Sequence, residues 1–462
     1  MTYDAVIVDS HIVMPQGILE KNIIIDEEKI VGFTSDIPSC DHQINGNGLI
    51  SVPGPIDTHV HYGVYSPINN AAKTESHAAA IGGITTMMRM LRLKQPFTQS
   101  LDEQLDAASK YHYVDYTAHA SVFTMQQIAE MDYCVRKGIT SFKIYMNLAG
   151  EIGHVYMDMP PYSSGLVAAN VDVNCEIVRQ IVKRAASLGC PVLVHAEDYE
   201  SCACGIKTAR QKNRDGLSAW SGSRPPESEA KAIKTVCRFG RDYGCMIYFV
   251  HIGSKAALEQ IEEERRLGTK IFVETCPHYL TLSHDRQKGY LAKVMPPIRT
   301  MHDNKAVWDA LAKNLINTVG TDHVANRLEL KLGGNDVWDA LAGFPGIGTA
   351  VPLLLSEGVN KGRISIDQFA KLTSLNAAQI FGMYPKKGTI ERDTDADIVL
   401  IDLKKQQSVT PELFGGFSDY VVYDGKLQGW PVKTIVRGKL VSEDFQVVGN
   451  LGHGKLVERQ ID

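Results

Sequence analysis

The chain has 462 residues, room for two or three ordinary domains or for one large barrel with an appendage. Hydrophobic residues make up 44% and charged residues 22%, which excludes a disordered chain and a collagen-like repeat. With 48 basic against 53 acidic residues the net charge is −5, and no charged tail accounts for it, so nothing electrostatic points to nucleic acid as a partner.

The start, Met1-Thr2-Tyr3-Asp4-Ala5-Val6, shows no basic stretch followed by an apolar one, so no secretory leader is expected. The first fifty residues read as short strands. Ala5-Val6-Ile7-Val8 and Asn22-Ile23-Ile24-Ile25 are rich in β-branched residues, Gln16-Gly17 is a turn, and Asn45-Gly46-Asn47-Gly48 closes the segment. From there apolar runs recur at 50–52, 84–88, 117–123, 141–146, 192–194, 246–250, 271–273 and 316–319. Helical stretches separate most of them. Asn174 to Gly189 repeats Cys175, Val178, Ile181, Val182, Ala185 and Leu188 at helical spacing, and Lys255 to Leu267 follows Ser254 as a cap. Eight strands alternating with helices predict a parallel sheet, and eight is the number that closes a (β/α)8 barrel. Past residue 386 strand patterns return, at Asp397-Ile398-Val399-Leu400-Ile401 and Val432-Lys433-Thr434-Ile435-Val436. The expected fold is therefore α/β: a (β/α)8 TIM-type barrel over 52–385. A small β-sandwich is assembled from both termini, 1–51 and 386–462. No apolar run reaches membrane-spanning length. The nine cysteines, an odd number without zinc-finger spacing, read as reduced thiols of a cytoplasmic protein.

The chemistry concentrates at strand ends. In Asp57-Thr58-His59-Val60-His61 the two imidazoles are two residues apart, so a strand points both to one face, as a metal clamp requires. Lys143 lies inside the apolar run Ser141 to Met146, where an ammonium is costly unless its charge is removed or paired. His195, His251 and Asp322 end Val192 to His195, Tyr248 to His251 and Val319 to Asp322. Any one of these histidines by itself reads more readily as a hydrogen-bonded core residue. Six ligand-type residues at or near the C-terminal strand ends, where barrels build active sites, do not.

Val52-Pro53-Gly54-Pro55-Ile56-Asp57-Thr58-His59-Val60-His61 resembles the first metal motif of the amidohydrolase superfamily. Ser141-Phe142-Lys143 resembles the carboxylated-lysine motif of its cyclic-amide branch: dihydropyrimidinases, hydantoinases, allantoinases and dihydroorotases. Glu274-Thr275-Cys276-Pro277-His278-Tyr279-Leu280 and Pro296-Pro297-Ile298-Arg299 match the same branch. Gly429-Trp430-Pro431-Val432 with Arg437-Gly438 looks like the hydantoinase end. The resemblance implies two divalent metals, usually zinc. His59 and His61 with Asp322 would hold one, His195 and His251 the other, and Lys143 would bridge both as a carbamate formed with CO2. It further implies attack on a cyclic amide, imide or ureide C–N bond by a hydroxide shared between the metals. Asp322 would act as general acid and base, and a homotetramer is implied as the assembly.

Departures from the family bear on the substrate. Leu148, beside Asn147, stands where hydantoinases carry a tyrosine; Met295 replaces a serine before the paired prolines; and an asparagine near Phe344-Pro345-Gly346 is missing. The missing tyrosine resembles allantoinases. Gly63 stands where dihydroorotases have an arginine, while Arg92 occupies the place of their asparagine and Arg89 that of an acidic residue. Arg92, Asn147, Leu148, Met295 and Phe344 are thus candidate substrate contacts. Arg92, with or without Arg89, is read as a clamp for an anionic or carbonyl-rich group, giving an allantoinase-like or acidic-ring alternative. A deaminase is disfavoured by Lys143, and a non-catalytic hydantoinase-like scaffold by the complete ligand set. Manganese, cobalt or nickel would also suit these ligands.

Overall fold

The computed structural model describes residues 2–286 and 289–460. Met1, at the head of the segment read for a leader, and the last two residues of the tail lie outside the described residues.

The central sheet has nine strands in the order Thr318–Val319, Ile271–Thr275, Ile247–Phe249, Val192–His195, Phe142–Tyr145, Asp115–Ser121, Thr86–Leu91, Ile56–His61 and His323–Val324. Every neighbouring pair is parallel. The two outermost strands are consecutive in the chain, separated only by Gly320-Thr321-Asp322. They are the halves of one broken strand, and through that break the sheet closes into the (β/α)8 barrel. Helices alternate with the strands as patterned. Cys175–Ser187 is capped by the Asn174 side chain, which accepts from the amides of Glu176 and Ile177, and it buries Val178, Ile181, Val182 and Ala185. Lys255–Arg266 is capped by Ser254, which accepts from the Ala257 amide.

The first of the eight apolar runs is a correction. Ile50–Pro53 is not a barrel strand; it runs antiparallel to Ile398–Ser408 and parallel to His11–Met14 in the sandwich. The first barrel strand is the neighbouring Ile56–His61, all six residues buried. It carries Asp57, His59 and His61 and so shows no apolar run at all. The sandwich itself comes from both termini. A four-stranded sheet, Lys29–Thr34, Asn22–Asp26, Tyr3–Val8 and Cys40–Asn45, faces a seven-stranded one that holds Lys426–Val436 and Ile398–Ser408 at its centre. Ile7, Ile23, Ile25, Ile398, Leu400 and Ile435 fill the space between the two sheets.

A buried ionic cluster ties sandwich to barrel. Lys387 Nζ lies 2.7 Å from Asp115, 3.0 Å from Asp395 and 2.6 Å from Asp397, and Arg437 pairs with Asp115 from the other side. Asp115 opens a barrel strand, whereas Asp397 and Arg437 flank sandwich strands. The three carboxylates could hold a cation, and the ammonium of Lys387 is that cation. The chain end then returns beneath the barrel, where Arg459 donates to Ser141 Oγ and the Ala118 carbonyl. Removing Lys387 leaves buried carboxylates with Arg437 as their remaining partner. We expect Lys387→Met to cost about 3–5 kcal/mol, read from the denaturation midpoint. A loss below about 1 kcal/mol would show that the cluster does not hold the two units together.

Candidate active site

The six ligand-type residues meet at the C-terminal end of the barrel. His59 and His61 turn their Nε2 atoms toward each other, 3.2 Å apart, and each lies 3.3 Å from Asp322 Oδ1. These three form a compact group of potential metal ligands. The His251 ring centroid lies 5.3 Å from that of His59 and 4.6 Å from that of His195, so the four imidazoles make one continuous series. Lys143 is fully buried on the adjoining strand, and its Nζ has no hydrogen-bond partner.

Backbone geometry aims these groups. His251 and Asp322 both have positive φ, +45° and +50°, each at the point where a barrel strand ends. Left-handed backbone in a residue other than glycine costs on the order of 1–3 kcal/mol and gathers at functional sites. Gly320 must be glycine, because a Cβ there would stand 2.7 Å from Glu274 Oε2. Gly63 has φ +90°, and a Cβ there would stand 2.4 Å from Arg89 Nη2.

A second set of residues orients the first. Glu274 Oε1 lies 2.8 Å from His59 Nδ1 and accepts from the His251 amide, while Oε2 accepts from Thr58 and Tyr248. His195 Nε2 lies 2.6 Å from Glu197, which also accepts two bonds from Arg224. His195 is thereby left with Nδ1 for the site. Asp57 accepts from the amides of His59 and Thr321 and from the Thr321 hydroxyl, bracing the first strand against the broken one. Glu197 and Arg224 stand outside every sequence motif and were missed. Glu274 stood in a recognised motif, but its role depends on a contact 215 residues away.

Burial sets the protonation states. It holds His59, His61 and His251 well below the usual imidazole range, with the Lys143 charge adding to the effect, so all three are neutral. Burial likewise pushes Lys143 down toward the neutral amine. It raises Asp322 to about 8, against the opposing pull of Lys143. For Glu197 burial acts to raise the carboxyl, but Arg224 and His195 hold it below the usual range. Neutral imidazoles, a carboxyl group that a cation would ionise and an unpartnered buried amine suit divalent ions of the zinc type. The two orphaned Nδ1 atoms of His61 and His251 belong to the same donor set.

A cavity of about 210 Å3 opens over this group. His59, His61, His195, His251 and Asp322 line it, as do Arg92, Asn147, Leu148 and Met295. Phe344 does not line it. The chain passes the cavity at Leu341, Ala342 and Gly343, and Phe344 packs instead on His278 and Tyr423. Tyr65 and Tyr145 line the cavity without having been counted among the candidates, although Tyr145 shares a strand face with Lys143. The segment 151–169, with the residue that follows it, forms a β-hairpin over the pocket. His154–Met157 pairs with Val167–Asn170, and His154, Val155 and Tyr156 line the cavity. A larger cavity, about 420 Å3, lies at the opposite end, against Thr140, Pro191, Met246 and Lys270 where the strands begin, and none of the six ligand candidates reaches it.

The amidohydrolase family model matches residues 50–441. A D-hydantoinase of Geobacillus stearothermophilus is 30% identical over 97% of this chain and 95% of its own. An allantoinase of Escherichia coli O1:K1 / APEC is 28% identical over 96% and 95%. The solved structure of L-hydantoinase (dihydropyrimidinase) from Arthrobacter aurescens superposes with a TM-score of 0.90 at 27% identity, covering 99% of this chain and 100% of that one.

Orienting carboxylates of this kind typically contribute 10- to 100-fold to metal affinity. Glu274→Gln and Glu197→Gln should each lower zinc retention by about that factor, measured by competition with a chelator while the folded circular-dichroism spectrum persists. Wild-type retention in both variants would remove the orienting role.

Proposed function

The chain belongs to the amidohydrolase family, and we propose that it hydrolyses the C–N bond of a small cyclic amide, imide or ureide, as its hydantoinase-like relatives suggest. The observation that carries this reading is the convergence of four imidazoles, Asp322 and the unpartnered Lys143 at the end of the barrel where such sites form. His59, His61 and Asp322 would hold one divalent ion, and His195 and His251 a second. Lys143 would lie between them as a carbamate, its neutral amine adding CO2 with loss of one proton. Zinc or a similar ion supplies two things when bound: a water acidified toward neutral pH and a Lewis acid for the carbonyl.

The protein's own groups do the rest. Asp322 takes the proton of the attacking water and passes it to the leaving ring nitrogen, so the amine departs neutral. Its position within 3.3 Å of two imidazoles supports that role. The Tyr145 hydroxyl is buried, lacks a hydrogen-bond partner and lines the cavity. We assign it the donor role toward the carbonyl oxygen as negative charge develops there, in place of the tyrosine that Leu148 replaces. Asn147 Oδ1, also buried and unpartnered, is available to accept a ring N–H. Leu148, Val155, Met295 and Leu341 close the apolar side and limit water.

The test is a panel of hydantoins, dihydrouracil, allantoin, dihydroorotate and cyclic imides on the zinc-loaded protein, with Lys143→Ala as control. Ring opening of at least one member, abolished in the control, is the expected result. No turnover of any member with two metals bound would reject the cyclic-amide reading. On whichever ring is opened, Tyr145→Phe should lower kcat by about 10²–10³-fold. KM should move less than about threefold, and an unchanged kcat would exclude the donor role.

A further inference from the structure

The two arginines on the second barrel strand have different fates. Arg89 is paired: its Nη2 lies 2.8 Å from Asp158 Oδ2 and 2.9 Å from Gln104 Oε1, and its guanidinium stands 5.0 Å over the Tyr62 ring, although its buried Nε has no partner. Asp158 Oδ2 is shared with the main chain. The same Oδ2 accepts the Arg92 backbone amide at 2.9 Å, and the Asp158 amide donates to the Arg92 carbonyl at 2.8 Å. The main chain of Arg92 is thus pinned on both sides by a residue whose charge Arg89 already balances.

The Arg92 side chain is left over. It makes no ion pair among the described residues, its buried Nε has no hydrogen-bond partner, and it lines the cavity. Beside it on the cavity wall stand Tyr65, His154 and Tyr156, with the two tyrosine rings 5.6 Å apart edge to face and His154 5.4 Å from Tyr156. Lys143 and Arg92 are the cations that bear on Asp322, and of the two Arg92 reaches the cavity. A guanidinium at a cavity wall with free donors is matched by a planar anion able to accept two parallel hydrogen bonds. A neutral substituent there would leave those donors desolvated and unmatched.

We propose that Arg92 is a carboxylate subsite, and that the substrate is a cyclic amide bearing a carboxylate on its ring or on a short side chain. This deepens the ring-hydrolysis reading and rests on it. The anion is a substituent present before ring opening, distinct from the carboxylate that hydrolysis creates at the scissile carbonyl. Arg92 acts in binding, with Tyr65 and Tyr156 flanking it and the apolar wall of Leu148, Val294 and Met295 taking the uncharged part of the ring.

The experiment uses the zinc-loaded protein, its Arg92→Gln variant and its Arg92→Lys variant, on matched pairs. One pair is dihydroorotate against dihydrouracil; the other is hydantoin-5-acetate against 5-propylhydantoin. The wild type should favour the carboxylate member of at least one pair by tenfold or more in kcat/KM. Arg92→Gln should lower kcat/KM for that member by about 10²-fold, mostly through KM, and for its neutral partner by less than about threefold. Arg92→Lys, which keeps the charge and loses the fork, should fall between them. Equal losses on both members, or a wild-type preference for the neutral ones, overturns the subsite. Calorimetric binding of the ring-opened N-carbamoylaspartate and of its monoamide separates this from failure of the ring-hydrolysis reading. A wild-type preference for the diacid that Arg92→Gln abolishes supports the subsite even where no ring is opened. No preference overturns it.

Discussion

The structure depends on what it takes to bury a lysine and four histidines at the end of a close-packed barrel. An ammonium placed there without a partner is costly, and each imidazole that charges adds to the repulsion. The barrel resolves this by keeping the imidazoles neutral and leaving Lys143 toward its neutral amine. The group that results is rich in lone pairs and poor in internal partners. Such a set of nitrogen and oxygen donors fits a divalent ion of the zinc type.

Precision comes from contacts at long range in the chain. Glu274 reaches His59 and the His251 amide, Glu197 joins His195 to Arg224, and Asp57 joins the first strand to the broken eighth. Glu274 and Asp57 each couple two strands, and Glu197 ties His195 to the end of the helix that stops at Arg224, so His59, His195 and His251 are held by more than their own rotamers. The strained residues His251 and Asp322 persist because these contacts over-determine them. Far below, the Lys387 cluster performs a similar service for the whole assembly, locking the sandwich onto the start of the strand that opens with Asp115. The opposite rim carries the hairpin and the loops that surround the cavity.

The substrate half of the cavity is built differently from the metal half. Its polar groups are few, Arg92, Tyr145 and Asn147, each from a strand end, and each with an atom that has no protein partner. The surrounding wall is aliphatic and aromatic. That pattern fits a small ring with few polar substituents.

Much of this was legible in the sequence. The alternation of strands and helices, the terminal strands of the sandwich, the caps at Asn174 and Ser254, and all six ligand candidates follow from local rules of spacing and residue type. What misled was the same local reasoning applied to a strand that carries ligands. Ile56–His61 lacks an apolar run because its polar residues serve the site, so the apolar Ile50–Val52 was taken for the first barrel strand. Only the tertiary structure decided which arginine side chain is paired, because that of Arg89 meets Asp158 and Gln104 while that of Arg92 meets neither. It alone turned Phe344 away from the cavity and brought Tyr145, Tyr65 and the 154–170 hairpin onto it. Residue type determines what a side chain can do; which partner it meets across the barrel determines whether it is left free to do it.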